Sequence, residues 1–348
     1  VDPLDVIDQY GTDALRYTLT IGNSPGNDLR FSADKIEAGR NFANKIWNAS
    51  RFVLMNFDEE IDFDKVDDTK FRTEDKWILS RVNSVVGEVT DNMEKFELGI
   101  ALQKIYEFIW DEFCDWYIEL AKPRLYDKDS DSRLEAQYVL NYVLAASMKL
   151  LHPYMPFVTE EIYRHLVTED ESIMISKWPQ YSGEYSFGDE EEKMGIVMNA
   201  IKSIRNIRAE MNVPPSRKAK VIFVSANKDV GETILEGRRF LESMAGASEL
   251  VVQSSKTGIS SDAVAAVIEG ADIFIPLEDL IDIEKELERL EKEKMNLQKE
   301  IDRVNSKLSN EGFVSKAPAK VVEEEKAKQM KYREMFSRVI ERIDTLKK

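Results

Sequence analysis

Apolar residues recur at helical spacing over most of the first two hundred positions. In Arg40–Met55, Phe42, Ile46, Ala49 and Val53 follow at steps of four, three and four, which predicts a helix with one buried stripe. Arg40, Asn44, Asn48 and Arg51 recur at four, four and three on another face of that helix. The same pattern predicts further helices at about 74–94, 97–125, 131–151, 154–167 and 189–211. Pro153 and Pro156 mark a break and a fresh start. Residues 1–35 mix short apolar runs with Gly22, Pro25 and Gly26, as a compact connecting element would.

The texture changes after Pro214-Pro215. Residues 219–225, 250–253, 263–268 and 272–276 read as short strands and 232–244 as a helix, a small α/β module punctuated by Gly246, Gly258 and Gly270. From Leu280 the steps alternate between three and four through Ile283, Leu287, Leu290, Lys294, Leu297, Ile301, Val304 and Leu308, a heptad seam with one polar member. After a turn at Ser309–Pro318 the alternation resumes at Val322, Glu325, Gln329, Tyr332, Phe336, Val339, Ile343 and Leu346. Two such seams predict an antiparallel helical hairpin, whose arms at 1.5 Å per residue reach about 40 Å.

A length of 348 residues predicts two or three domains, and 43% hydrophobic with 32% charged residues fits a globular chain with salt-laced helical surfaces. No apolar run approaches a membrane span, and no signal peptide opens the chain, so a cytoplasmic location is expected. The single cysteine, Cys114, excludes a disulfide framework, and the Asn48-Ala49-Ser50 sequon carries no meaning without a secretory signal. His152 and His165 stand apart from any cysteine, which argues against a zinc site; no P-loop or dinucleotide fingerprint is present. The composition points to no chemistry, no cofactor and no metal in this chain.

A net charge of −17 argues at first against an RNA partner. The distribution changes that. Residues 284–348 hold 17 Lys/Arg against 14 Asp/Glu, a surplus of three positive charges on an otherwise acidic chain. Residues 201–220 carry Lys202, Arg205, Arg208, Arg217, Lys218 and Lys220 against Glu210 alone. Basic islands on an acidic body suit a protein that holds RNA locally and releases it, with a solvated helix face as the competing reading for any one island.

Val1 opens a stretch, D-P-x-x-x-I-x-x-Y-G-x-D-A-x-R through Arg16, that resembles the segment just past the K-M-S-K-S loop of class I aminoacyl-tRNA synthetases. The resemblance implies that the chain is the back half of such an enzyme, beginning immediately after its catalytic domain. Three further phrases resemble the anticodon-binding bundle of the valine, isoleucine, leucine and methionine enzymes. They are Arg40–Ala49 (RNFANKIWNA), Phe113–Glu119 (FCDWYIE) and Leu151–Ile162 (LHPYMPFVTEEI). A fourth, Ile204–Met211 (IRNIRAEM), matches the junction after that bundle. The Asn310–Pro318 turn (NEGFVSKAP) inside a heptad hairpin resembles the tip of the arm of the valyl-tRNA synthetases.

The implied fold class is mainly α: an anticodon-binding helical bundle, then a small α/β module and a C-terminal antiparallel coiled-coil hairpin. The expected domains are a connecting segment over 1–38, the anticodon-binding domain over 39–212, the α/β module over 213–278 and the tRNA-binding arm over 279–348. In the bundle, the resemblance places tRNA contacts at Arg40, Asn44, Asn48 and Arg51, with Trp116 and Trp47 as candidate stacking surfaces; burial is the competing reading for both tryptophans. At the junction the candidates are Arg205, Arg208, Arg217 and Lys218, and on the arm Lys316, Lys326, Lys328 and Lys331. His152 reads as a structural histidine. The implied partners are tRNA(Val) and the N-terminal catalytic and editing domains of the same polypeptide, in a monomer. ATP and Mg2+ serve only the parent enzyme, which would activate valine, esterify it to tRNA and edit mischarged threonine. The competing readings are another branched-chain synthetase, opposed by the hairpin and the missing cysteines, and a helical scaffold that binds proteins through its coiled coil.

Overall fold

The computed structural model describes residues 2–22, 31–58, 60–310, 312 and 318–346. They fall into two compact units, Val1–Ile196 and Val197–Lys348.

The first unit is helical. Its elements are α1 (Pro3–Tyr10), α2 (Thr12–Thr20), α3 (Ala33–Met55), α4 (Thr73–Glu94), α5 (Leu98–Glu107), α6 (Ile118–Tyr126), α7 (Arg133–Leu151) and α8 (Pro156–Tyr163). α9 (Gly188–Glu210) runs across the boundary between the units. Two of the early helices are capped in sequence-legible ways. Asp2 accepts from the Leu4 amide ahead of Pro3, and Ser32 accepts from Lys35 at the start of α3. The expected connecting element is thus a helix pair, with Val6, Ala14, Leu15 and Ile36 forming a small core of their own. Gly39 lets α2 and α3 close up, because a Cβ there would stand 2.9 Å from the Ala14 carbonyl oxygen.

The stripe read from 40–55 holds. Phe42, Ile46 and Val53 are fully buried, and Ala49 is half-buried. The helix expected over 97–125 is not uniform. Between α5 and α6 the backbone winds as a π-helical segment, Phe108–Tyr117, before Pro123 sits inside α6. π turns close through i→i+5 bonds and shift the phase of the side chains beyond them. α4 lies against α5, α7 and this π segment, so the interior of the unit is shared among them.

A charged cluster ties that interior together. Arg124, 3% exposed, donates from Nη1 to Asp75 Oδ2 at 2.7 Å and from Nη2 to Asp75 Oδ1, while Glu74 Oε1 stands 3.4 Å away. Tyr117 donates its hydroxyl to Asp75 Oδ1 at 2.6 Å, and the Arg72 amide donates to Oδ2 at 3.0 Å. Burial, reinforced by the Asp75 charge, pushes the Tyr117 phenol well above its usual range, so it stays a donor.

A second tie joins distant parts of the chain. Asp13 on α2 accepts from the Val158 amide at 2.7 Å and from Phe157 at 3.3 Å, a carboxylate set on the N-terminus of α8. Arg16 donates to the carbonyls of Pro153 at 2.8 Å and Tyr154 at 3.1 Å. One turn of α2 therefore clamps the α7–α8 junction.

In the second unit, β1 (Ala219–Val224), β2 (Ala247–Gln253), β3 (Val264–Ile268) and β4 (Ala271–Ile275) form a mixed sheet in the order β2-β1-β4-β3. β1 and β2 are parallel, joined through α10 (Lys228–Glu236) and α11 (Arg238–Met244), which pack on β2. The single helix expected at 232–244 is broken at Gly237. β3 and β4 form a hairpin whose turn uses Gly270 at φ 79°. After α12 (Leu277–Leu280) come the long arms α13 (Ile283–Leu308) and α14 (Ala319–Leu346). Leu290, Leu297, Val339 and Ile343 are buried between them, packed with Leu277, Ile281, Leu287, Tyr332 and Phe336.

Toward the turn the seam becomes polar. Glu325 is buried with Lys307 at 3.3 Å and Lys328 at 3.0 Å, and Gln329 donates to Asn305 at 2.5 Å. A polar layer of this kind weakens a coiled coil locally but specifies one register.

Replacing Arg124 by Met should destabilise the first unit by about 3–5 kcal/mol, because Asp75 and Glu74 would be left charged in the interior. Urea unfolding followed by circular dichroism measures this; a loss below about 1 kcal/mol would show the pair to be dispensable.

Candidate nucleic-acid interface

Arg40, Asn44, Asn48 and Arg51 are all exposed on α3, opposite the buried Phe42, Ile46 and Val53. Asn44 and Asn48 line a shallow groove of about 480 Å³ between α3 and the π segment and α6. Asn41 joins them one turn earlier on the same face, a residue that the spacing 41, 44, 48 could have singled out. Phe52, Ala49 and Ile118 supply apolar wall, while Cys114, Glu119 and Lys122 line the opposite side. Three primary amides can donate and accept at once, which is the chemistry that reads the edge of an unpaired base.

The cations near the groove are held in place. Lys45 pairs with Asp115 at 2.6 Å and sits 3.9 Å above the Trp110 ring, and Lys122 pairs with Glu119 at 2.5 Å. Trp47 is 41% exposed on α3 and keeps a face for stacking. Trp116 does not. It is 7% exposed inside the π segment, and the expectation that it stacks on RNA is corrected: the indole belongs to the core. Burial pushes the Cys114 thiol up to about 12, so the groove carries no nucleophile at neutral pH.

Two junction candidates are also corrected. Arg208 is buried and donates to the carbonyls of Pro214 at 3.1 Å and Arg217 at 2.6 Å, fastening the loop after α9. Arg217 donates to the carbonyls of Asp279 and Glu278, each at 2.6 Å, and of Ile281 at 3.1 Å, closing the end of α12. Nη2 of Arg208, and Nε and Nη2 of Arg217, are taken by backbone carbonyls. Arg205 is exposed, with Nε donating to the Met244 carbonyl at 2.8 Å, and Lys218 is exposed.

On the arm, Lys326, Lys328 and Lys331 are exposed on α14, away from the buried seam; Lys328 also pairs with Glu325. Lys316 lies outside the described residues, as does most of the Asn310–Pro318 turn. His152 Nδ1 lies 2.8 Å from Thr159 Oγ1, and Nε2 stands 3.2 Å from Met174 Sδ. Thr159 directs its own hydroxyl proton to the Met155 carbonyl, so His152 Nδ1 is the donor. Burial lowers its pKa, so in the neutral ring with Nδ1 donating, Nε2 carries no proton and its contact with Met174 is packing. Among the described residues no group of three His, Cys, Asp or Glu side chains is placed to hold a metal ion, and no helix is long and apolar enough to cross a membrane.

The family described as "Anticodon-binding domain of tRNA ligase" matches residues 75–223, and "Valyl tRNA synthetase tRNA binding arm" matches residues 282–347. A protein named "Valine--tRNA ligase" from Clostridium perfringens is 55% identical over 99% of this chain, and one from Clostridium acetobutylicum is 56% identical over all of it. A third, from Geobacillus stearothermophilus, is 47% identical over the whole chain. The chain spans 39% of the length of each of these relatives.

With its thiol held at about 12, Cys114 should be alkylated by iodoacetamide at pH 8 on the order of a thousand-fold more slowly in the native chain than in urea. Mass spectrometry of timed aliquots gives both rates; equal rates would mean that the α6 side of the groove stands open.

Proposed function

Since the chain belongs to the valine-tRNA ligase family, we propose that it is the tRNA-holding part of such an enzyme, reading the anticodon with α3 and gripping the outer corner of tRNA(Val) with the arm. The observation that carries this reading is the exposed face of α3, where Asn44, Asn48 and Asn41 converge on one groove flanked by Arg40 and Arg51 on the same helix. Splayed anticodon bases offer their Watson–Crick edges, and paired amides in a half-apolar groove select among them. Arg40 and Arg51 serve the neighbouring phosphates, which position the loop without reading sequence.

The arm acts by charge and shape. Its apolar seam is closed within the hairpin through Leu290, Leu297, Val339 and Ile343, which favours an RNA lever over a protein-binding coiled coil. Lys326, Lys328 and Lys331 face outward along α14 and suit phosphate binding. At the junction, Arg205 and Lys218 are the remaining candidates. Valine activation with ATP and Mg2+, transfer to tRNA and editing of threonine belong, in this reading, to the rest of the ligase polypeptide, which acts in the cytoplasm as a monomer.

Asn44→Ala or Asn48→Ala should reduce discrimination between valine and non-valine anticodon stem-loops by about 1–3 kcal/mol, with folding unchanged. Filter binding with the two loops measures this; equal losses for both would assign these residues to positioning instead.

Neutralising Lys326, Lys328 and Lys331 together should weaken all tRNAs alike and make the slope of log K against log salt shallower by about 2–3, since each phosphate that a cation neutralises adds about 0.9 to it. An unchanged slope would move the electrostatic grip to Arg205 and Lys218.

A further inference from the structure

A second groove in the first unit, of about 770 Å³, shares no lining residue with the asparagine groove. Five aromatic rings line it: Phe63, Phe71, Tyr138, Tyr185 and Phe187, none fully buried. Phe71 stacks on Tyr138 with centroids 6.0 Å apart and planes 12° from parallel, and Phe63 meets Tyr138 edge-on at 5.6 Å. Tyr142 also stacks on Tyr138, at 6.2 Å, so the rings are held by one another while each stays partly exposed.

The charge around these faces is one-sided. Asp68 and Glu184 line the groove, are exposed and form no ion pair among the described residues. The one lining cation, Lys76, is already engaged by Glu190 at 3.3 Å and lies 5.8 Å from the Phe187 centroid. The two wall segments carry more acids than bases, although Asp58, Asp62, Glu190 and Glu191 are paired with Arg133, Lys65, Lys76 and Arg81. Residues 57–71 hold seven Asp/Glu against two Lys, and residues 182–192 hold five acids and no base.

Acidic walls repel phosphate, so nucleic acid is the wrong occupant, and a neutral apolar ligand gains nothing from the carboxylates. A guanidinium uses both features. It lies flat on aromatic faces and pairs through its edge with carboxylates, and a single small cation would leave most of the volume empty. We propose that this groove docks an arginine-bearing peptide segment of a protein partner, with guanidinium groups over the Phe63 and Phe71 rings and Asp68 and Glu184 as their counter-charges.

Fluorescence polarisation with a labelled Arg-Gly repeat peptide tests this on the full chain, beside a Glu-Gly repeat and a labelled oligouridine. The Arg-Gly peptide should bind, and the Glu-Gly peptide should not. The double variant Asp68→Lys, Glu184→Lys should weaken the peptide at least about tenfold while leaving Tm and tRNA affinity unchanged. Both positions are exposed and unpaired, so this variant keeps the fold even if Phe63→Ala, expected to weaken the peptide as well, does not. No binding by the Arg-Gly peptide, or equal binding to the charge-reversed variant, would overturn the proposal. So would oligouridine binding that Phe63→Ala abolishes, which would make the rings a base-stacking surface.

Discussion

The first unit depends on a guanidinium buried between helices. Arg124 comes from α6, Asp75 and Glu74 from the first turn of α4, and Tyr117 from the π segment, so one charge fixes three pieces of backbone. Burying charge is expensive, and the pair recovers that cost only while its geometry is kept. The arrangement therefore specifies position more than it adds stability. It sets α6 and the π segment, and these are the elements that face α3 across the asparagine groove. In the proposed function the asparagine groove reads bases, which needs closely held side chains, and the buried Arg124 cluster fixes the elements that carry one side of it.

The sequence strings that resemble the synthetases turn out to encode this kind of fastening. Asp13 and Arg16, in the opening motif, reach across 137 to 145 positions to the backbone of the Leu151–Ile162 phrase. Two recognisable motifs are thus two halves of one joint. His152, within the second motif, donates from Nδ1 to Thr159 and packs against Met174.

Legibility in the sequence depends on which forces are local. The α3 stripe and the arm seam can be read because amphipathic spacing is itself the cause of burial, and their described members are buried or half-buried. Trp116 is buried, as the competing reading had it, in a π segment whose winding no 3.6-residue period announces. Arg217 is misplaced by the sequence. Its carbonyl acceptors lie 61 to 64 residues downstream, and a basic residue with distant backbone partners looks the same in sequence as one that awaits a phosphate. Asn41 escapes notice because the exposed stripe passes through Arg40, whereas the groove lies one position round the helix.

The polar layer near the turn of the hairpin gives the arm a fixed length. A slide of one heptad would carry Glu325 from the level of Lys307 toward that of Ile301, leaving a carboxylate among aliphatic side chains, and would part Asn305 from Gln329. Leucine and isoleucine layers alone would tolerate such a slide, since one apolar rung resembles the next. With it forbidden, the hairpin works as a ruler with a single graduation: the lysines of α14 stand at one set distance from the α/β module, and whatever they grasp is measured against it.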